Sequence, residues 1–253
     1  FAQKERKKWH AFVADNISFS HNKPNSYAQA IGIVNSLCDN RDRIVASAGG
    51  LPAEVTANWR TLDLGTVDVE FGFSCMGYEI AGAWGARIAQ NETEPDRDTI
   101  SFCGDGSYLM LNSDIYSSVL SQKKLIIIVL DNGGFAVINK LQKNTGNESF
   151  NNLFVDCPMI PEAFPVDFAA HSASMGAISE KVKSPEELKG AFKRAKSSDK
   201  TYVIVMNVDA HEGWTEEGHT WWEVGTPTVS DNKNIRQGHI EIEAGRLKQR
   251  RGI

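Results

Sequence analysis

Two short stretches of this chain carry the residue types best suited to chemistry. Gly104-Asp105-Gly106-Ser107 sets one carboxylate between two glycines, and Asn132-Gly133-Gly134 follows after the 25 residues 107–131. A carboxylate and a carboxamide are hard oxygen donors. Completed by a backbone carbonyl and by phosphate oxygens, they suit Mg²⁺, which accepts few protein ligands and keeps its other positions for substrate phosphates or water. Gly106 and Ser107 add backbone N–H groups and a hydroxyl near a helix start, where a diphosphate is stabilised by the dipole and by donors lacking an intrahelical partner. Gly-Asp-Gly alone is an ordinary turn sequence. Joined to a strand, and to Asn132 at this distance, it indicates a site for a metal diphosphate.

For the two stretches to act together, the chain must bring them to one edge. Residues 98–103 read as a buried strand, 112–121 as a helix and 124–130 as a second buried strand, which makes a βαβ unit. Its crossover is right-handed by strong default, so the strands lie parallel and both carboxyl ends open on the same side. As neighbours about 4.8 Å apart, they let Asp105 and Asn132 share one ion. The rest of the chain alternates in the same way: helix 27–38, strand 44–48, a helix around Met76, helix 165–175, strand 177–182, helix 184–195 and strand 201–208. Ser184-Pro185-Glu186-Glu187 launches one of these helices as a capping box with proline at the first helical position. The pattern predicts an α/β fold: a doubly wound, mostly parallel sheet with helices on both faces.

These blocks are similar to the cofactor motif of the thiamine-diphosphate enzymes, the family that includes acetolactate synthase, pyruvate decarboxylase and benzoylformate decarboxylase. The resemblance implies thiamine diphosphate and Mg²⁺ as cofactors, with Asp105, the Asn132 side chain and the Gly134 carbonyl as metal ligands. One position departs from the pattern: the first Asn of the family's pair is Asp131 here, beside the ligand position rather than at it. Residues 73–86 resemble the family's Met-Gly helix, which puts Met76 beneath the bent cofactor. Ala48-Gly49-Gly50-Leu51 corresponds to the loop over the diphosphate. The implied cofactor-binding set is Gly49, Gly50, Leu51, Cys75, Met76, Gly104, Asp105, Gly106, Ser107, Asn132, Gly134 and Phe135.

Within the family, residues 74–82, 104–116 and 131–139 look like the hydrolases of inositol catabolism that open a trihydroxylated cyclohexane-1,2-dione. Spanning roughly residues 27–230, that likeness implies a C–C bond hydrolase acting on a small polyhydroxy cyclic diketone; a carboligase of the acetolactate-synthase type is the alternative. It also implies a homo-oligomer in which the pyrimidine-binding domain of a neighbouring subunit supplies an activating glutamate. Residues 1–26 are too few for such a domain, which typically needs roughly 100 to 150 residues. The glutamate is therefore expected upstream, and no catalytic residue is assigned within this chain.

Composition sets the outer bounds. With 41% apolar and 23% charged residues over 253, the chain reads as globular, with material for one large core or two small ones. Its net charge of −5 argues against a broad nucleic-acid footprint. No apolar run approaches the ~20 residues that span a membrane, and no charged-then-apolar leader opens the sequence. No membrane partner is expected, and cytoplasm is the expected location. Cys38, Cys75, Cys103 and Cys157 occur singly, with no paired histidines at ligand spacing, and are expected as buried free thiols. No Gly-x-Gly-x-x-Gly follows the first strand, which argues against a nicotinamide-binding dehydrogenase, and no Gly-Lys-Ser/Thr marks an NTPase. Intact Asp105 and Asn132 argue against a non-catalytic assembly module. Glu54, Glu70 and Glu79 are read as salt-bridge or surface residues, and His21 and His171 as histidines satisfied by hydrogen bonds.

Three segments follow: residues 1–26 as the tail of a linker from an upstream region, 27–210 as the diphosphate-binding domain, and 211–253 as a C-terminal arm. In that arm Trp214, Trp221, Trp222, Glu212, Glu216, Glu217 and His219 crowd together. They either line a polyol pocket or pack on a partner subunit.

Overall fold

The computed structural model describes residues 1–18, 24–61, 63–159, 165–215 and 225–248. The chain divides into two compact units, residues 1–132 with 165–215, and residues 133–164 with 216–253. The first unit opens with α1 (Ala2–Ile17) and α2 (Tyr27–Leu37). It then alternates through β1 (Arg43–Ser47), α3 (Leu51–Asn58), β2 (Val67–Glu70), α4 (Tyr78–Thr93), β3 (Thr99–Gly104), α5 (Asp105–Met110), α6 (Ser113–Leu120) and β4 (Ile126–Asp131). The second unit includes α7 (Ala136–Asn144); the first resumes with α8 (Phe168–Ser174), β5 (Ile178–Val182), α9 (Pro185–Ser197) and β6 (Tyr202–Asn207).

The six strands form one sheet in the order β2-β1-β3-β4-β6-β5, every pair parallel. A parallel strand covered on both faces needs apolar side chains on both. The run Ile126 to Leu130 supplies them, and every residue in it is buried. Ile126, Ile128 and Leu130 join a core built with α2, α3 and α9, while Ile127 and Val129 join a second core with α4, α6 and α8. The connections β1 to β2 and β5 to β6 step one way along the sheet and use α3 and α9. Connections stepping the other way use α4, α6 and α8, and a single crossover hand sends the two sets to opposite faces. The doubly wound α/β architecture read from the sequence is thus present, with a sheet that is wholly parallel among the described residues.

Several local readings change. The structure adds β2, α3, α5 and α7; β2 and α5 have only 4 and 6 residues, too few for a period to register. Residues 48–51 run straight into α3, whose start is marked by Pro52 in its first turn. The helix expected around Met76 begins at Tyr78, after Gly77 in a left-handed conformation (φ 96°), and Met76 sits in the turn before it. At Ser184 the box has one arm in place: its Oγ accepts the Glu187 N–H at 3.2 Å, but Glu187 takes the Lys183 N–H instead of that of Ser184. A reciprocal box starts α2, where Ser26 Oγ accepts the Gln29 N–H at 3.2 Å and Gln29 Oε1 accepts the Ser26 N–H at 3.1 Å. All four cysteines are free as expected, but only Cys103 is buried, and Cys75 is exposed.

The second unit contains α7 and α10 (Lys233–Lys248). They approach closely at glycines: a Cβ on Gly146 would lie 2.3 Å from the Asn234 carbonyl oxygen, and one on Gly238 would lie 2.7 Å from that of Thr145. Among the described residues no helix is long and apolar enough to cross a membrane.

Losing an N-cap hydroxyl leaves a helix-end N–H without its acceptor and costs about 1 kcal/mol. Ser26→Ala should therefore lower the unfolding free energy by about 1 kcal/mol in a urea titration, with an unchanged slope. No shift of the midpoint would show that the box contributes nothing to holding α2.

Candidate functional site

Most of the predicted site residues gather at the carboxyl edge of the sheet. Gly104 pairs with Leu130, so Asp105 and Asn132 leave neighbouring parallel strands on the same side. Asp105 is 4% exposed and opens α5. Asn132 Nδ2 donates to the Tyr27 hydroxyl at 2.7 Å, while its Oδ1 is buried with no hydrogen-bond partner. An orphaned buried acceptor costs about 1–3 kcal/mol. With its donor end engaged, the acceptor end of the amide is what this side chain offers. Asp131, one residue earlier, accepts from Asn207 Nδ2 on β6 at 2.9 Å.

A crevice forms where neighbouring strands send the chain to opposite faces. This happens between β1 and β3, whose following helices α3 and α5 pack on different cores. Ala48 and Gly49 leave β1 with φ of 53° and 65°, a left-handed turn that an alanine adopts only under strain. Gly50 lies so close under Trp214 that a Cβ would sit 2.1 Å from the ring, and buried Leu51 then starts α3.

Cys75 and Met76 belong to the loop between β2 and α4. Glu70, at the end of β2, organises it: Oε1 accepts the Phe73 N–H at 2.8 Å and Oε2 the Cys75 N–H at 2.9 Å. These bonds, that of Phe73 foremost, hold the Glu70 carboxyl below the usual glutamate range. Ser47 Oγ donates to the Cys75 carbonyl at 3.0 Å, and the Gly49 N–H to Ser74 Oγ at 3.3 Å, which ties the two loops together. A Cβ on Gly77 would come within 2.5 Å of Leu111 Cβ, so this loop also presses on the end of α5.

Glu79 is wholly buried at the start of α4. Its Oε2 accepts the Gly77 N–H at 2.8 Å and its Oε1 has no partner. Burial pushes its pKa up against the opposing influence of its own N–H, the Ser107 hydroxyl and the Gly77 N–H. Glu54 is also buried and accepts the Thr215 N–H at 2.9 Å and its hydroxyl at 2.6 Å. The surface placement of Glu54 and Glu79 is therefore corrected to a buried one, while Glu70 is half-buried; all three accept from backbone donors around the crevice, and Glu54 also from a hydroxyl. His171 fits its sequence reading, with Nδ1 sharing a 2.8 Å hydrogen bond with the Tyr108 hydroxyl. His21 lies outside the described residues.

Gly134 and Phe135 belong to the second unit. Gly134, at φ 148°, forms an antiparallel bridge with Leu153, and a Cβ there would meet the Asn152 carbonyl oxygen at 2.3 Å. Phe135 is half exposed, and its N–H donates to the same carbonyl at 2.7 Å.

Residues 48–206 match the family model described as thiamine pyrophosphate enzyme, C-terminal TPP binding domain. The chain belongs to this family. Relatives of this TPP-binding domain include the 3D-(3,5/4)-trihydroxycyclohexane-1,2-dione hydrolase of Shouchella clausii, 33% identical over 241 residues, with 91% of this chain and 37% of the relative covered. A protein of the same name from Bacillus cereus strain AH820 is 36% identical over 226 residues, covering 87% of this chain and 34% of the relative. The chain thus spans about a third of the length of these relatives. Among solved structures, benzoylformate decarboxylase from Polynucleobacter necessarius superposes with a TM-score of 0.64 at 20% identity, over 74% of this chain and 33% of that one. A thiamine diphosphate-dependent 4-hydroxybenzoylformate decarboxylase from Rhodococcus jostii RHA1 gives 0.64 at 22% identity, over 76% and 34%. At those identities the likeness concerns the fold.

Tyr27, which the sequence reading gives no role at the site, and Trp214, whose contact with Tyr27 it does not foresee, meet beside Asn132 and lie outside the matched stretch. Trp214 stacks on Tyr27 with ring centroids 4.5 Å apart, so part of its surface packs within its own chain. Residues 216–224, which include the other crowded tryptophans, lie outside the described residues.

Glu79 gives a pH prediction. Its pKa is higher in the folded state than in the unfolded chain, so the folded state gains from the proton at low pH. That gain is lost as pH rises through the raised value. Glu79→Gln keeps an acceptor for the Gly77 N–H and removes the charge. From pH 4.5, the ordinary value, up to neutrality, wild type should lose stability relative to this variant, by at most about 1.4 kcal/mol per pH unit. Parallel pH profiles in denaturant titrations would contradict the burial argument.

Proposed function

We propose that this chain is the diphosphate-binding portion of a thiamine diphosphate- and Mg²⁺-dependent hydrolase. It would open the ring of 3D-(3,5/4)-trihydroxycyclohexane-1,2-dione to 5-deoxy-D-glucuronate in inositol breakdown, in the cytoplasm. The observation that carries the cofactor reading is the buried, unpartnered Oδ1 of Asn132 on the same edge as the Asp105 carboxylate. Among the described residues no group of three or more His, Cys, Asp or Glu could hold a metal on its own. One carboxylate and one carboxamide fit an ion that takes its remaining oxygens from a diphosphate and water. The substrate reading rests on the shared name of the relatives that are 33–36% identical over most of this chain.

Asp105 and Asn132 would hold Mg²⁺, while the backbone N–H groups of Gly106 and Ser107 would bind the diphosphate. Met76, in a loop fixed by Glu70, would support the cofactor's bent form. When bound, thiamine diphosphate supplies a nucleophilic carbon and an electron sink for the broken C–C bond. The pyrimidine-binding domain of a neighbouring subunit would complete the site with its glutamate. In keeping with a subunit face, α4, α5 and α6 expose Ile88, Leu109, Met110, Tyr116 and Leu120.

Two measurements test this reading. Asp105→Ala should abolish metal-dependent thiamine diphosphate binding in a calorimetric titration while the thermal melt survives; undiminished affinity would remove Asp105 from the ion site. Ring opening of the cyclic dione should exceed turnover of pyruvate in parallel assays of the protein joined to its pyrimidine-binding domain, and the reverse order would favour a carboligase.

Met76→Ala should lower turnover more than cofactor affinity, because a shape-enforcing contact acts on the reactive form. A loss confined to affinity would mean that Met76 merely binds.

A further inference from the structure

We infer that Tyr27 is a positioning residue for the ion, through Asn132. This rests on the cofactor reading above and adds a residue to it. A carboxamide has two ends of similar shape and opposite polarity, and only the oxygen end can ligate a cation. If Asn132 rotated by half a turn, it would present N–H groups to the metal. The Tyr27 hydroxyl accepts from Nδ2 at 2.7 Å while Oδ1 has no partner of its own; the hydroxyl could bond either end of the amide, but only this arrangement keeps its bond to Asn132 while the oxygen end is left for a cation.

The hydroxyl is fixed as firmly as the amide it orients. Tyr27 is 1% exposed and heads α2 directly after the Ser26 capping box. Its N–H donates to the Gly213 carbonyl at 3.0 Å, and its ring stacks on Trp214, whose indole N–H donates to the Ala210 carbonyl at 2.8 Å. The same indole covers Gly50 in the loop after β1. One aromatic pair therefore connects the start of α2, the loop after β1 and the carboxamide at the end of β4. Partners of this kind, one bond removed from a metal, typically carry 10–100-fold in affinity.

The experiment uses Mn²⁺ as the probe ion with thiamine diphosphate, counting free Mn²⁺ by electron paramagnetic resonance on the intact protein. Tyr27→Phe keeps the ring and its stacking, and should weaken Mn²⁺ binding about tenfold with a thermal midpoint close to wild type. Asn132→Asp offers two equivalent oxygens and needs no orientation, so in that background the effect of Tyr27→Phe should shrink below about twofold, the signature of coupling in a double-mutant cycle. An equal loss in both backgrounds, or none in either, overturns the positioning role. If Tyr27→Phe does not fold, 3-fluorotyrosine at position 27 keeps the shape while weakening the oxygen as acceptor. It should reduce Mn²⁺ affinity in the Asn132 protein alone; unchanged affinity would overturn the inference. Asp105→Ala separates the two levels: if it binds Mn²⁺ and cofactor as wild type does, the ion site itself is misplaced. If it fails to bind while Tyr27→Phe is silent, only the role of Tyr27 is refuted.

Discussion

The parallel register of β3 on β4 is the constraint from which the rest follows. It sets Gly104 opposite Leu130 and so fixes how far each chain travels before it leaves the sheet. A slip of one residue would turn each buried side chain of the Ile126 to Leu130 run toward the wrong core. The two hydrophobic cores thus police the register from both faces, and the alignment of Asp105 with Asn132 is a by-product of packing many ångströms below them. Neither loop needs to be rigid by itself if both are anchored to the same ladder.

Around that edge, acidic residues serve as acceptors for the backbone. Glu70 gathers the N–H groups of the loop that carries Cys75 and Met76, Glu54 fastens Thr215, and Glu79 takes the N–H of Gly77. A buried carboxyl group is expensive unless hydrogen-bonded, and Glu54 and Glu79, the buried two of the three, each accept at least one such bond. At the opposite edge the arrangement is ionic: Lys196 Nζ lies 3.1 Å from Asp98 Oδ2 and 2.8 Å from Asp39 Oδ2, and it also meets Asp42. Ion pairs tie the sheet together at its amino edge, while hydrogen-bonded carboxyl groups organise the loops at its carboxyl edge.

The sequence made the βαβ unit legible because Leu125 to Leu130 has no polar interruption and because Gly104 and Gly133 bracket it with breakers. The alternation of strands and helices likewise followed from apolar spacing at Ala30, Ile31 and Val34 and from the Ser184-Pro185 start. What stayed hidden is short or non-local. β2 pairs through Val67 and Val69 at the edge of the sheet and offers too few residues for a pattern. α5 occupies the six residues that the motif itself fills. Tyr27 and Trp214 could not be joined by any local rule, since nothing near either residue announces the other. Glu79 looks like a surface residue in sequence, and only the packing of α4 on the sheet puts it out of reach of water.

The stacking of Trp214 on Tyr27 has a consequence for biosynthesis. At ~5–20 residues per second, Trp214 is made roughly 10 to 40 seconds after Tyr27. During that interval the ribosome-bound chain can complete α2, β1, β3 and β4, with Tyr27 and the loop at Gly50 still lacking their cover. The last strand, β6, and the segment that follows it must arrive before the crevice acquires its wall. A nascent chain that ends before residue 214 thus holds the ends of β3 and β4 but leaves Tyr27 without its stacking partner and Gly50 without its cover.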